Sequence, residues 1–165
     1  MATNKLEVLA PPKLGEVWKG QGGILGALVR GINGEPDYYL IVPCAKKIIL
    51  PYGGYGEDEP GANCGYDGAA NTAALVASKI GHPAAEFCAS FKFEGHADYY
   101  LPARREFRAL WCTVPELFEN GWNWTSTQFS AYNAWFQSFG YGLQHYNGKD
   151  HQGRVQPVRR LLAIQ

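Results

Sequence analysis

From Gly121 to Gly148 the chain runs for 28 residues without one Asp, Glu, Lys or Arg. The stretch holds nine aromatics (Trp122, Trp124, Phe129, Tyr132, Trp135, Phe136, Phe139, Tyr141, Tyr146), six amides (Asn123, Gln128, Asn133, Gln137, Gln144, Asn147) and several Ser and Thr. It reads as uncharged β-strands, with half of the side chains in a core and half outside. The same mixture suits recognition. Aromatic rings give large contact area at low entropy cost, and amides and hydroxyls hydrogen-bond in either direction. Catalysis near neutral pH draws on ionisable groups, which this segment, His145 apart, lacks.

A chain of 165 residues fits one domain with a substantial core. The expectation is a single domain over 1–165, with 1–13 as an extended N-terminal arm. Fifteen basic residues balance fifteen acidic ones, and no basic run exceeds two residues. Nothing in that pattern offers the electrostatic footprint of a nucleic-acid partner. No uncharged apolar run approaches the length of a membrane span, and MATNKLEVLAPPK has no apolar leader core. Synthesis in the cytosol is therefore expected. Work outside a cell would then need another route, such as assembly into a particle released by lysis. Cys44, Cys64, Cys88 and Cys112 are widely separated, without the spacing of a zinc site, and are expected to be buried free thiols. No metal and no cofactor is expected.

Glycines punctuate the first 65 residues so often that only short strands fit between turns. EVW, ILGALVRG and YYLIVP read as β, with Asn33-Gly34 as a hairpin signal between the second and third. PYGGYGEDEPGANCGY reads as a long surface loop and a candidate for mobility. Asp67 then opens DGAANTAALVASKIG, a helix with Ala70, Ala73, Ala74 and Ala77 at apolar spacing and Gly81 as its end. A second helix, PAAEFCASFKF, starts at Pro83, and LPARREFRALWCTV forms a third. The C-terminal third alternates in β fashion and closes with RVQPVRRLLAIQ. Strands, then helices, then strands that return to the first ones make an α+β layout in which the chain ends pair.

The blocks DGAANTAALV, HPAAEFC, GHADYYLPARREFRAL, WNWTSTQFSAYNAWFQSFGYG and VQPVRRL, in this order, resemble the Lcl C-terminal type of C-type-lectin-like domain. The likeness spans about Leu14 to Leu161. In the same superfamily lie the variable proteins of diversity-generating retroelements, phage tail-tip adhesins among them, and the formylglycine-generating enzymes. The resemblance implies a C-type-lectin-like fold: short antiparallel sheets, two to three helices, and adjacent N- and C-terminal strands. Glu106 would hydrogen-bond back to the start of its helix, with Phe107 and Leu110 facing the core. The chain departs from the family pattern at Gln156, Thr125 and Tyr99-Tyr100, and a shared scaffold leaves the ligand open.

Alternation in NAWFQSF sends Trp135, Gln137 and Phe139 to one face and Ala134, Phe136 and Ser138 to the other. Family likeness puts Trp135 and Phe139 in the core. The expected ligand-binding set is then Tyr132, Asn133, Phe136, Ser138, Tyr141, Gln144, His145, Tyr146 and Asn147. The implied function is a non-enzymatic binding protein of a phage or prophage virion that recognises a host-surface glycan or protein. The alternative is a structural virion protein, a capsid decoration or fibre subunit, whose same face serves assembly with other virion proteins. A homo-oligomer is expected in either case.

Other chemistries fit less well. Formylglycine-generating enzymes use a late cysteine pair, and no cysteine follows Cys112. A Ser-His-acid hydrolase wants a nucleophile elbow such as G-x-S-x-G, which the chain does not contain. His96 and Asp98 could pair, although a turn histidine bound to local backbone is the simpler role. His145 and His151 flank the NGKD turn and suit hydrogen bonding to a ligand or water better than metal. Glu35-Pro36-Asp37 resembles the sugar-binding tripeptide of calcium-dependent lectins, but lies in an early hairpin. Glu57, Asp58, Glu59 and Asp67 form the one acidic cluster with calcium-like chemistry, and a solvated loop is the simpler reading.

Overall fold

The computed structural model describes residues 10–163. Residues 10–13 carry no regular structure, and the rest of the expected arm lies outside the described residues. In chain order the elements are β1 (Val17–Trp18), β2 (Gly23–Val29), β3 (Tyr38–Val42), β4 (Ile48–Pro51), α1 (Gly68–Ala77), α2 (Pro83–Ser90), α3 (Arg104–Thr113), β5 (Trp122–Gln128), β6 (Asn133–Ser138), β7 (Gln144–Gly148), β8 (Gln152–Val155) and β9 (Arg159–Leu162). The fold is α+β, with two sheets in the orders β1-β2-β3-β9 and β4-β8-β5-β6-β7. Pairing is antiparallel except where β5 meets β8 in parallel at Asn123 and Arg154. The last strand does return to the opening sheet, pairing with β3 from Tyr38↔Leu162 to Ile41↔Arg159. β1 lies on the opposite edge of that sheet, so the first and last strands share it without touching. Sequence reading passes over β4, a short edge strand whose partner β8 comes only near the end of the chain.

The Asn33-Gly34 signal marks a turn: both residues have positive φ, 56° and 84°, and the Glu35 amide donates to Ile32 O at 3.2 Å. The turn lies inside the 30–37 connection of the β2–β3 hairpin, whose last paired residues are Val29 and Tyr38. At Gly153 in β8 a Cβ would lie 2.6 Å from Trp124 Nε1, so only glycine lets the indole pass and donate to Leu50 O.

Asp67 caps α1 as expected, its carboxylate accepting from the Ala70 amide at 3.1 Å. The buried face of α1 differs from the alanine stripe: Gly68, Asn71, Thr72 and Leu75 point inward, while Ala70, Ala73 and Ala77 are exposed. The reason is polar. Asn71 satisfies the backbone of Cys64 and the Ser126 hydroxyl, and Thr72 bonds Gly68 O and the Leu101 amide. Hydrogen-bonding demand of the buried polar side chains and the adjoining loop thus outweighs a weak apolar pattern. The helix also stops at Ala77, before Gly81, because Ser78 turns extended.

Glu106 anchors the centre. Its side chain is wholly buried and accepts from the Gly68 and Ala103 amides, from Tyr38 and Tyr100 hydroxyls at 2.9 and 2.7 Å, and from Arg160 at 3.1 Å. Burial pushes its carboxyl upward, and these donors pull it back. The start of α3 is therefore capped from within its own first turn, as the LPARREF pattern implied, with Ala103 as the N-cap residue and Phe107 and Leu110 in the core.

One apolar cluster fills the space between the first sheet and α3, with Leu40, Phe107, Leu110, Phe118 and Phe139. A second joins α1 and α2 to the later sheet through Leu75, Ala84, Cys88, Trp124 and Phe136. All four cysteines are free. Cys88 is buried, which raises its thiol pKa, but Cys44 and Cys112 are exposed, contrary to the expectation of buried thiols.

Candidate functional site

The register of β6 decides which side chains reach solvent. Trp124 pairs with Phe136, and Phe136 with His145, so those three share one face; Trp135 and Tyr146 share the other with Gln137 and Gln144. On the first face Phe136 stacks on Trp122 at 4.2 Å and lies 5.3 Å from Trp124, inside the second core cluster. On the second face Gln137 is fully buried, and Phe139, next but one along the chain, enters the first cluster. Both faces of β6, an inner strand, are thus largely covered, and the exception is Trp135. Phe136 and Ser138, expected to face solvent, are buried at 6% and 1% exposure, and Trp135, expected in the core, is half-buried at the surface.

The other expected contact residues divide by position. Tyr132, Tyr141, His145 and Tyr146 are exposed, and Asn133, Gln144 and Asn147 are half-buried. Tyr132 and Tyr141 sit beyond opposite ends of the six-residue β6, a span of roughly 17–20 Å. They do not form one patch. Tyr132 pairs instead with Tyr55 from the acidic loop, edge to face at 5.3 Å.

What the structure does assemble is a shelf on the Trp135 face, next to the first turn of α3. Phe129 and Tyr146 lie parallel, 4.0 Å between centroids and 1° between planes, and Trp135 stands edge-on to both at 5.3 and 5.7 Å. His145 stacks on Tyr146 at 4.8 Å. The Arg104 guanidinium lies 3.6 Å from the centre of the Trp135 ring. Gln144 holds Arg104 at both ends: its Oε1 accepts from Arg104 Nε at 3.1 Å and its Nε2 donates to Arg104 O at 2.7 Å. Gln144 in turn donates to Gln137 Oε1 at 3.0 Å, which ties the assembly into the buried sheet. The rings are therefore held in place while still exposed, Phe129 at 46% and Tyr146 at 40%.

Beside the shelf a cleft of about 310 Å³ is lined by Gly65, Arg104, Arg105, Arg108 and Gln144. None of these three arginines meets a carboxylate in an ion pair among the described residues. Burial, and then the like charge of Arg108, lower the Arg104 pKa. Sequence reading missed Phe129, Trp135 and the arginines as surface groups. Phe129 was in view as one of the uncharged segment's aromatics; the arginines look like ordinary helix surface until α3 is placed against β7.

The candidate ionisable groups of the sequence are engaged elsewhere. His96 Nε2 meets Gly20 O at 2.9 Å, while Asp98 takes a two-pronged bond from Arg159, so the two do not pair. Asp67 is spent on α1 and Arg160. Beside Glu57, Asp58 and Glu59 lies a cation supplied by the chain itself: wholly buried Lys149 donates to the backbone Glu57 O and to Gln128 Oε1, each at 2.7 Å, and Gln128 donates to Asp58. Burial lowers the Lys149 pKa, and the loop's carboxylates oppose that shift. Glu59 bonds His82 Nε2 at 3.0 Å. The acidic loop is thereby bound to the body of the domain, and among the described residues no group of three His, Cys, Asp or Glu converges as metal ligands. No helix among them is long and apolar enough to cross a membrane.

No family model matches the chain, and no curated protein matches it either.

Proposed function

We propose that this chain is a non-enzymatic binding domain of C-type-lectin-like fold, carried on a bacteriophage or prophage virion, which holds a host-surface glycan or protein against the shelf of Phe129, Trp135 and Tyr146. The observation that carries this reading is the Gln144 clamp. It immobilises Arg104 on Trp135 and so presents rigid, exposed rings at little further entropy cost on binding. Sugar C–H faces and apolar protein side chains both stack on such rings, and the amides around them orient hydroxyls. The lectin-like part of the proposal is supported by the ordered sequence blocks and by the return of β9 to the opening sheet.

The test is adhesion of the purified domain to host cells or to immobilised surface glycans. Tyr146→Ala and Phe129→Ala should abolish adhesion with the melting temperature nearly unchanged, and Tyr141→Ala, far along β6, should leave it intact. Unchanged adhesion by Tyr146→Ala would overturn the assignment of the shelf.

A structural role in the virion is the second reading. It draws on apolar side chains left exposed on the strands, Val17, Leu28, Ile49 and Leu162, each more than half exposed. Light scattering on the pure chain, with mass spectrometry of purified particles, separates the two. A stable oligomer abundant in the particle favours assembly, and a sparse monomer or small oligomer at a fibre tip favours adhesion.

A further inference from the structure

Arg104, Arg105 and Arg108 occupy the first turns of α3, where the helix dipole disfavours cations and where residues four apart repel if alike in charge. None of the three forms an ion pair with a carboxylate among the described residues, and Glu106 points the other way, into the core. The helix start is already capped by Glu106 and the Arg104 guanidinium is held by Gln144 and Trp135, so among the described residues it is Arg105 and Arg108 whose guanidinium groups have no hydrogen-bond partner. Arrangements that cost stability without internal compensation concentrate at functional sites. These three line one cleft with Gly65 and Gln144, next to the Trp135 ring.

We propose that this cleft receives the phosphoryl group of a phosphorylated sugar, with the sugar ring resting on the adjoining aromatic shelf. The inference rests on the shelf reading given above and adds the ligand's chemical class. A phosphomonoester carries nearly two negative charges and three acceptor oxygens near pH 7, which suits several guanidinium forks better than a single carboxylate does. Arg104 is pre-set for this role: Gln144 takes its Nε and Trp135 covers its plane, so the ends of the fork stay open toward the cleft.

Calorimetry on the full chain with mannose, mannose 6-phosphate and mannose 6-sulfate tests the proposal, with R105Q/R108Q and Y146A as variants and inorganic phosphate as the anion-only probe. Arg105 is half-buried and Arg108 exposed, and both lie outside the aromatic shelf, so their loss spares the fold. Mannose 6-phosphate should bind at least about tenfold more tightly than mannose. The sulfate should fall between them, and R105Q/R108Q should erase the phosphate advantage while keeping the mannose affinity. Equal affinity for mannose and its phosphate, or an advantage that survives in R105Q/R108Q, would overturn the inference and leave the shelf standing. A phosphate advantage lost in R105Q/R108Q, with affinity untouched by Y146A, would support the anion cleft and reject the shelf. Absence of binding by every sugar and by inorganic phosphate would overturn the inference, while adhesion lost in Tyr146→Ala would still stand for the shelf.

Discussion

Arg104 lies with its guanidinium carbon 3.6 Å from the centre of the Trp135 ring, and Gln144 fixes it there through two hydrogen bonds. The contact joins the first turn of α3 to the exposed face of β6 and β7. A planar guanidinium can stack and donate through Nε at once; an ammonium cannot.

Arg104→Lys should therefore keep the charge and lose the arrangement. Adhesion to the ligand surface is expected to fall by about tenfold, with a stability loss of about 1 kcal/mol or less. A red shift in tryptophan emission should accompany it as Trp135 loses its cover. Binding and emission identical to the parent protein would show that the stack does not organise the shelf.

Phe136 and Tyr141 were both expected to face a ligand, and the structure separates them. Phe136→Ala removes a ring stacked between Trp122 and Trp124 and should cost about 3–5 kcal/mol. Tyr141, 80% exposed in the turn after β6, should change to Ala with no measurable loss in thermal unfolding. Comparable melting temperatures for the two variants would contradict the register given above.

Glu106→Gln tests the buried hub. Gln presents an NH₂ group to a set of partners that all donate: two backbone amides, two tyrosine hydroxyls and Arg160. The exchange leaves donors unmatched and Arg160 without its buried carboxylate. The expected cost is about 3 kcal/mol, a fall of roughly 10 °C in Tm by calorimetry. A drop under a few degrees would mean that Arg160 finds enough compensation in Asp67.

Acid should loosen the loop below the ordinary Glu59 pKa of 4.5. Burial alone would raise this carboxyl, but hydrogen bonds from Ser78 and His82, with the charges of His82 and Lys149, hold it below that value. A depressed folded-state pKa contributes stability that is complete above the unfolded value and is lost as pH falls through the folded one. Denaturant unfolding from pH 7 to pH 3 should show the decline, and Glu59→Gln should flatten it. An equally steep decline in the variant would place the acid sensitivity elsewhere, with Asp98, held down by Arg159, as the next carboxylate to change.

Sequence by itself determined the parts governed by local chemistry. Asp67 as a cap, Pro83 at a helix start, Asn33-Gly34 at a left-handed turn and the glycine-broken short strands are all decided within a few residues. The α+β order and the return of the last strand to the first sheet follow from the succession of those elements. Tertiary structure decided the rest. Period-two alternation in NAWFQSF separates two sets of side chains without saying which set is wet, and β6, covered over most of both faces, meets solvent at Trp135, beside the first turn of α3. Arg104 became part of the aromatic shelf, and Lys149 the cation beside the acidic loop, through partners 40 and 92 positions away. Contacts of that range are set by the packing of α3 and the loops on the sheet, which no local pattern encodes.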